Sequence, residues 1–411
     1  MKWPSLNTQI LAGALSGLGL GLIFSHVGQH NSGVAIGLYL SGLVGGVFID
    51  LLKMVLMPLV FTSIVVGIAN LRAHRQIHRV WLTTLAFSLL TTSLSVVIGL
   101  SATHIFEPGK GLNLESFQGA MQGFQAMQLT LPEFFAKFLH GIFMNPVAAL
   151  AQGSVLAIVV FALFVGIALV VGGERYRNLL AIFQELFELT MLIVSWIMRL
   201  APFGIMALLA KLIATESFAV LGSLAKFVAV VMGTTLFHGI VVLPLILFLL
   251  TRTSPLTFFR GARQALITAF ATSSSSATMP VTMRCLEHEL GVSSSIAGFV
   301  VPLGAHLNMD GTALYEAAAA LFVANLVGID LNLTQQLVVC FTAMLSSIGA
   351  PGIPSAGMVT MIMVLQSVGL PIEAIAILLP IDRLLDTLRT AVNVEGDMVG
   401  SMVVQKFSIR Q

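Results

Sequence analysis

The sequence predicts an all-α polytopic membrane protein, and three observations predict it. Of the 411 residues, 57% are hydrophobic and 9% are charged, which is too apolar for a soluble protein of this length. The apolar runs are as long as the roughly 20 residues that a helix needs to cross hydrocarbon, whereas strands of a membrane barrel would alternate over about ten residues. Two later runs are interrupted in their middle by small and helix-breaking residues, which is typical of secondary transporters.

Six conventional spans are predicted in the first part of the chain. The apolar runs cover residues 9–27, 35–71, 80–105, 146–172, 178–212 and 219–250. Every second connection is rich in arginine, so the positive-inside rule places these connections and the N-terminus in the cytoplasm. The C-terminus is also expected in the cytoplasm. The predicted location is the plasma (inner) membrane. Within the first run, Gly13, Gly17 and Gly21 recur every fourth residue, which predicts close helix packing.

After residue 250 the apolar runs become discontinuous. Residues 271–280 read A-T-S-S-S-S-A-T-M-P and residues 349–357 read G-A-P-G-I-P-S-A-G. Each interruption is followed by one long span, at 294–328 and at 371–404. This repeated unit of a broken hairpin and a full helix predicts a binding site between paired repeats, because irregular backbone at membrane depth is tolerated only around a cavity or inside protein.

The last span carries a polar stripe. At about 100° per residue, its polar side chains fall on one helical face; they are Asp382, Asp386, Arg389, Thr390, Asn393 and Asp397. Ionised groups in a membrane helix indicate a functional site. Because carboxylates outnumber the guanidinium, the stripe predicts bound cations or a ligand ammonium. Asp382 is expected to be a buried acceptor that supports the region of Asp310 and not a ligand.

A cation site is predicted where the seventh long run contains Asn308 and Asp310. A helix broken there would expose carbonyls beside hard oxygen donors, which hold small cations. The alternative is that both residues cap a helix. Similarly, the serines at 273–276 are either flexible filler or, at a hairpin tip, donors for a ligand carboxylate.

In this order and spacing, the motifs resemble the dicarboxylate/amino acid:cation symporters, the glutamate transporter homologues. These motifs are the serine-rich tip, N-M-D-G-T, the Gly/Pro-rich second tip and D-x-x-x-D-x-x-R-T-x-x-N-x-x-x-D. The resemblance covers essentially the whole chain. It implies eight transmembrane helices plus two re-entrant helical hairpins, in a glutamate-transporter-like elevator fold with inverted repeats, and a homotrimer. Residues 1–250 would hold the trimerisation scaffold and supporting helices, and residues 251–411 the transport core.

The resemblance also implies a substrate pocket. Arg389 would pair with the side-chain carboxylate of an acidic amino acid, because a planar guanidinium matches a carboxylate. Asp386 would pair with the amino group of the amino acid, because a lone carboxylate suits an ammonium. The two hairpin tips would hold the main carboxylate. The implied substrate-binding residues are Ser273, Ser274, Ser275, Thr312, Gly352, Ile353, Pro354, Gly357, Asp386, Arg389, Thr390 and Asn393. The presence of both Arg389 and Asp386 favours aspartate or glutamate.

The resemblance implies three sites for co-transported Na⁺. It implies no organic cofactor. The first would use Gly304, Asn308, Asn393 and Asp397. The second would use Thr91, Thr92, Asn308 and Asp310. The third would use Met309 and carbonyls at His306, Ser347, Ile348 and Ala350. His306 stands where threonine is common in the family, and two roles stay open for it: a carbonyl ligand, which we favour, and a proton site.

Glu316 is the sharpest local clue to proton coupling. The resemblance implies an amide here in sodium-only archaeal relatives and a glutamate in proton-coupled animal carriers. A buried glutamate can be neutral and carry a proton. The alternative is a structural glutamate paired with Arg389 or Lys53.

The sequence therefore predicts a secondary active symporter that takes up acidic amino acids with sodium and, through Glu316, protons. A carrier of C4-dicarboxylates or neutral amino acids is the alternative within the family, and an ion channel is the alternative of another class. An enzyme is not predicted, because Ser355 lies in G-I-P-S-A-G, unlike a hydrolase elbow, and no strand precedes it. The expected partners are an acidic amino acid, membrane lipid and further copies of the chain, and no nucleic acid.

Overall fold

The computed structural model describes residues 6–28, 31–69, 78–111, 140, 143–152, 155–215, 218–349 and 356–408, and it contains helices and no strand within these ranges. Fifteen α-helices of the described chain have the following bounds: α1 (Leu6–Val27), α2 (Ser32–Ala69), α3 (His78–Phe106), α4 (Pro146–Gln152), α5 (Val155–Gly172), α6 (Arg177–Thr215), α7 (Phe218–Phe237), α8 (Leu243–Thr251), α9 (Pro255–Thr272), α10 (Ser275–His288), α11 (Ser294–Leu307), α12 (Asp310–Leu326), α13 (Leu333–Gly349), α14 (Ala356–Ser367) and α15 (Ile375–Ser408). A 3₁₀ turn at Gly173–Tyr176 joins α5 to α6, a π-helical turn at His238–Val242 joins α7 to α8, and a 3₁₀ turn at Ile372–Ala374 precedes α15.

Five stretches of the described chain are long and apolar enough to cross a membrane. They are Thr8–Val27, Ser32–Ala69, Arg79–Phe106, Val160–Thr215 and Gly222–Thr251. The fourth stretch joins two of the six predicted runs, because only the short 3₁₀ turn separates α5 from α6. The prediction of an all-helical protein with several apolar helices is confirmed.

The first group of helices packs through small residues. Helix α6 lies against both α1 and α2, and α5 lies against α2. A Cβ atom placed on Gly13 would overlap the carbonyl of Pro202, and one placed on Gly17 would lie 2.9 Å from the Cα atom of Met206. The glycine repeat of α1 therefore lets two helix backbones touch, as predicted.

The second group of helices is built around α12. Its residues are buried along the whole helix except for half-buried Asn325, and the buried residues include the polar Asp310, Thr312 and Glu316. Helices α3, α13, α14 and α15 pack around it. Because α3 and α7 also contact α15, two of the first six spans support the helices that follow residue 250.

The first predicted interruption is a break between two helices. Helix α9 ends at Thr272, and α10 begins at Ser275 and packs against α9 as a hairpin. Helices α13 and α14 also pack together, and the residues between them, 350–355, lie outside the described residues. The chain breaks again between Leu307 and Asp310, where α11 gives way to α12. Helix α15, in contrast, is continuous from Ile375 to Ser408.

Candidate functional site

Arg389 lies at the centre of the polar stripe on α15. Its side chain is 1% exposed, and its Nη2 atom donates to Asp382 Oδ1 at 2.8 Å and to Asp386 Oδ1 at 2.9 Å. Its Cζ atom lies 4.0 Å from the centroid of the Tyr315 ring, within range of a cation–π interaction. Arg383 reaches Asp386 only at 3.5 Å. The guanidinium is thus held by two carboxylates and an aromatic face.

This arrangement gives Asp382 a partner that the sequence did not indicate. The residue is a buried acceptor, as predicted, and it accepts from Arg389. The reason is geometric: side chains on a helix lean towards its N-terminus, so the long arginine side chain extends back along α15 and reaches a residue two turns earlier.

Small and polar groups face the guanidinium from α12 and α14. The Asn393 side chain links α15 to α12, because its Nδ2 donates to Thr312 Oγ1 at 3.1 Å and its Oδ1 accepts from the Gly311 amide at 2.8 Å. A Cβ on Gly357 would lie 3.2 Å from Thr312 Cγ2 and 3.3 Å from Arg389 Nη1. The geometry brings Thr312, Gly357, Arg389 and Asn393 together. Thr390 is also buried on α15.

The first hairpin tip is buried and polar. Ser273 has a left-handed backbone, with φ of 50°, and ends α9. Ser274 caps α10, because its side chain accepts from the amide of Ala277, as predicted for a hairpin tip in which a helix N-terminus is presented. Ser273 and Ser275 are 1% and 5% exposed, and Ser273 Oγ has no hydrogen-bond partner among the described residues. Ser273 and Ser274 therefore lie at a helix boundary, between the end of α9 and the start of α10.

Four oxygen atoms converge where α11 breaks into α12. Asp310 Oδ1 lies 2.7 Å from Thr92 Oγ1 and 3.2 Å from Thr91 Oγ1, and Thr91 Oγ1 lies 3.1 Å from Asn308 Oδ1. These groups are hydroxyl, amide and carboxylate oxygens, the donors that hard cations prefer. The described residues contain no cluster of three His, Cys, Asp or Glu that could hold a metal, and the mixed oxygen set is compatible with an alkali cation.

A second acidic group lies beside the same break. Asp397 is 3% exposed, and its Oδ1 has no hydrogen-bond partner in the described part of the chain. A Cβ on Gly304 would overlap this oxygen, and one on Gly396 would overlap Asn308 Nδ2. Glycine at both positions lets α11 and α15 approach closely. Gly304, Asn308 and Asp397 are therefore brought together, whereas Asn393 is engaged with Gly311 and Thr312.

The third predicted sodium set is only partly described. Met309 and Ser347 are buried, and Ser347 Oγ donates to the carbonyl of Met344. His306 is half-buried on α11. The structure gives no hydrogen bond between these side chains in the described ranges. Four predicted residues, Ala350, Gly352, Ile353 and Pro354, lie outside the described residues, as does the side chain of Ile348.

Glu316 is fully buried on α12, one turn after Thr312. Its two carboxyl oxygens accept from the hydroxyls of Ser346 on α13 and Thr360 on α14. The alternative of an ion pair with Arg389 is wrong, because the described ion pairs of Arg389 are with Asp382 and Asp386. The side chain of Lys53 lies outside the described residues. Glu316 therefore joins both helices of the second hairpin without a cationic partner in the described chain.

A family model extends over nearly the entire chain: residues 6–407 match the sodium:dicarboxylate symporter family. The chain belongs to that family. This confirms the resemblance carried by the four motifs, and it identifies the protein as a multi-pass membrane symporter and not an enzyme.

Curated relatives in the symporter family are named as amino acid transporters. The chain is 33% identical over 458 residues to excitatory amino acid transporter 3 of Homo sapiens, covering 100% of this chain and 86% of that protein. It is 34% identical to an excitatory amino acid transporter of Caenorhabditis elegans, over 89% of this chain and 80% of that protein. A segment of 268 residues is 46% identical to excitatory amino acid transporter 1 of Mus musculus, over 64% of this chain and 49% of that protein. The predictions of transmembrane symport and amino-acid transport are confirmed.

Sequence reasoning missed three residues of this symporter's core. His238 contacts Asp310, Tyr315 stacks on Arg389, and Glu395 is 4% exposed on α15 with Oε1 lacking a partner in the described chain. The signal for His238 and Glu395 was available, because an ionisable residue inside an apolar run calls for a partner. Nothing local distinguishes Tyr315 from a packing residue.

Proposed function

We propose that this protein is a secondary active symporter that takes up aspartate or glutamate together with sodium. The observation that carries the proposal is the buried pair of Arg389 and Asp386 beside Thr312 and Gly357. A guanidinium suits a side-chain carboxylate and an aspartate suits an ammonium, so the pair matches a zwitterionic acid. The names of the relatives support an amino acid substrate.

Arg389 has donor groups left for a substrate. Nη2 is engaged by the two aspartates, while Nε and Nη1 have no hydrogen-bond partner among the described residues. An arriving carboxylate would use these unused N–H groups, and an arriving ammonium would take over Asp386. The serine tip at Ser273–Ser275 and the second tip from Gly352 to Gly357 would hold the main carboxylate.

Sodium would bind where α11 breaks. One ion would be held by Thr91, Thr92, Asn308 and Asp310, and another by the Gly304 carbonyl, Asn308, Asn393 and Asp397. Two features support this role: the converging oxygens around Asp310 and the buried, unpartnered Oδ1 of Asp397.

A third ion would use Met309 and the backbone at His306, Ser347, Ile348 and Ala350. Glu316 would carry a co-transported proton.

The wider organisation is also a proposal. Eight spans and two re-entrant hairpins would form an elevator, in which residues 251–411 move against a scaffold within residues 1–250. Exposed apolar residues on α6, such as Leu189, Trp196 and Phe203, would face lipid or the other copies of a homotrimer. The protein would lie in the plasma (inner) membrane with both termini in the cytoplasm.

Reconstituted uptake tests the proposal. Purified protein in liposomes is supplied with labelled aspartate, glutamate, succinate or serine, while a sodium gradient and a pH gradient are imposed separately. We expect uptake of aspartate or glutamate that requires the sodium gradient. Uptake of succinate without aspartate would refute the role of Asp386 and favour a dicarboxylate carrier, and preference for serine would favour a neutral amino acid carrier. Sodium current that continues without substrate uptake would indicate a channel.

A further inference from the structure

A single buried histidine marks the junction between α7 and α8. His238 is the first residue of the π-helical turn His238–Val242, and its side chain is 0% exposed. Its Nε2 atom lies 3.0 Å from Asp310 Oδ2. Turns of this kind are rare and are often found at functional sites. The contact joins the sixth apolar run to the residue around which the cation oxygens converge.

The two oxygens of Asp310 have different partners. Oδ2 faces His238, whereas Oδ1 faces the hydroxyls of Thr91 and Thr92. An ionised carboxylate can only accept, so the ring proton belongs on Nε2 and the histidine donates. This hydrogen bond fixes the rotation of the carboxylate about its last torsion, which is otherwise soft. Oδ1 is thereby aimed at the threonines.

We propose that His238 is a positioning residue for the Asp310 cation site. It does not touch the ion; it holds Oδ2 so that Oδ1 stays among the oxygen donors, as outer partners orient metal ligands in other proteins. The inference rests on the proposed sodium coupling and adds to it a residue outside the ligand set.

The π-helical turn sets the position of the histidine relative to α15. A Cβ on the next residue, Gly239, would lie 3.0 Å from Val392 Cγ2 and 3.0 Å from Glu395 Oε2. The turn therefore packs directly on α15, and only a residue without a side chain fits there unless these neighbours shift. Close packing of this kind gives His238 one fixed location beside Asp310.

Two polar substitutions of similar character separate positioning from general stability. In His238→Gln the amide nitrogen can occupy the place of Nε2 and still donate to Asp310, whereas in His238→Asn it falls at the place of Nδ1 and cannot reach. Thr235→Val is the matched control, because Thr235 is buried one turn earlier and its hydroxyl has no partner in the described chain. The readouts are the sodium concentration for half-maximal amino acid uptake and the maximal rate at saturating sodium.

We expect His238→Asn to raise the half-saturating sodium concentration by about 10-fold or more, the usual scale for loss of an outer partner of a metal site. His238→Gln should stay within about threefold of the parent protein, since the orienting hydrogen bond is kept, and Thr235→Val should match the parent. Equal effects of Gln and Asn, or a lower maximal rate with unchanged sodium dependence, would overturn the inference.

A second measurement separates this inference from the proposed transport activity. Sodium added to purified protein without amino acid should raise its melting temperature, and the shift should be kept in His238→Gln and weakened in His238→Asn. If the parent protein takes up no amino acid but shows this pattern, the proposed function fails and the positioning role stands. If sodium shifts all variants equally, the positioning role fails whatever the uptake assay shows.

Discussion

Replacing Arg389 with lysine tests the proposed recognition of an acidic side chain. Lysine keeps the positive charge that Asp382 and Asp386 require, but it lacks the planar set of five donors and presents a compact ammonium on a flexible stem. Nη2 already serves both aspartates, at 2.8 and 2.9 Å, so the lysine ammonium would be occupied by the same two partners. Little donor capacity would then remain for a substrate carboxylate.

The expected loss can be estimated from one charge-assisted contact. A hydrogen bond to a charged group contributes about 1.5–3 kcal/mol, and about 1.4 kcal/mol corresponds to a tenfold change in affinity. We therefore expect Arg389→Lys to raise the KM for aspartate by roughly 10- to 100-fold. Inhibition by serine, which has no side-chain carboxylate, should change much less, so discrimination between aspartate and serine should fall by a similar factor.

Competition experiments in liposomes measure this discrimination. Arg383→Lys is the matched control, because Arg383 reaches Asp386 only at 3.5 Å and is 13% exposed; its effect should stay within about fivefold, as for other weak ion pairs. Melting temperature in detergent verifies that each variant folds. If Arg389→Lys weakened the binding of aspartate and serine equally, or if Arg383→Lys had the larger effect, Arg389 would not be the residue that binds the acidic side chain.

Four further variants address coupling. Asp382→Asn should change aspartate affinity with little effect on half-saturating sodium, because Asp382 holds Arg389, whereas Asp397→Asn should mainly raise the sodium requirement; equal losses of sodium dependence would contradict this assignment. Glu316→Gln keeps a polar side chain beside its hydroxyl partners but cannot release a proton. The pH dependence of uptake and the accompanying proton flux should therefore both disappear. An unchanged pH profile would exclude Glu316 as the proton carrier. Gly304→Ala places a methyl group on the Asp397 carboxylate and should weaken the sodium-induced rise in melting temperature; a normal rise would mean that no ion binds there.

Local sequence signals predicted the breaks in the fold better than the contacts across it. The serines at Ser273–Ser275 and the N-M-D-G-T motif interrupt apolar runs, and the structure ends one helix and begins another at both places. Such breaks depend on a few neighbouring residues. The partners of buried polar groups depend instead on which helices pack together, as with His238 and Asp310, which are 72 residues apart. Asp382 could have been assigned to Arg389 from sequence, since arginine side chains extend towards the N-terminus of a helix.

Charge balance offers a physical reason for coupling between amino acid and sodium. Around Arg389, two carboxylates face one buried guanidinium, and an acidic amino acid would add two further carboxylates and one ammonium. Asp310 and Asp397 are also buried, and no lysine or arginine pairs with either in the described chain. Uncompensated charge in a low-dielectric interior is costly, so loading the amino acid without cations would be unfavourable. Sodium at Asp310 and Asp397 would offset this charge, and the loaded core could then cross the membrane. On this reasoning, sodium should strengthen aspartate binding more than it strengthens serine binding.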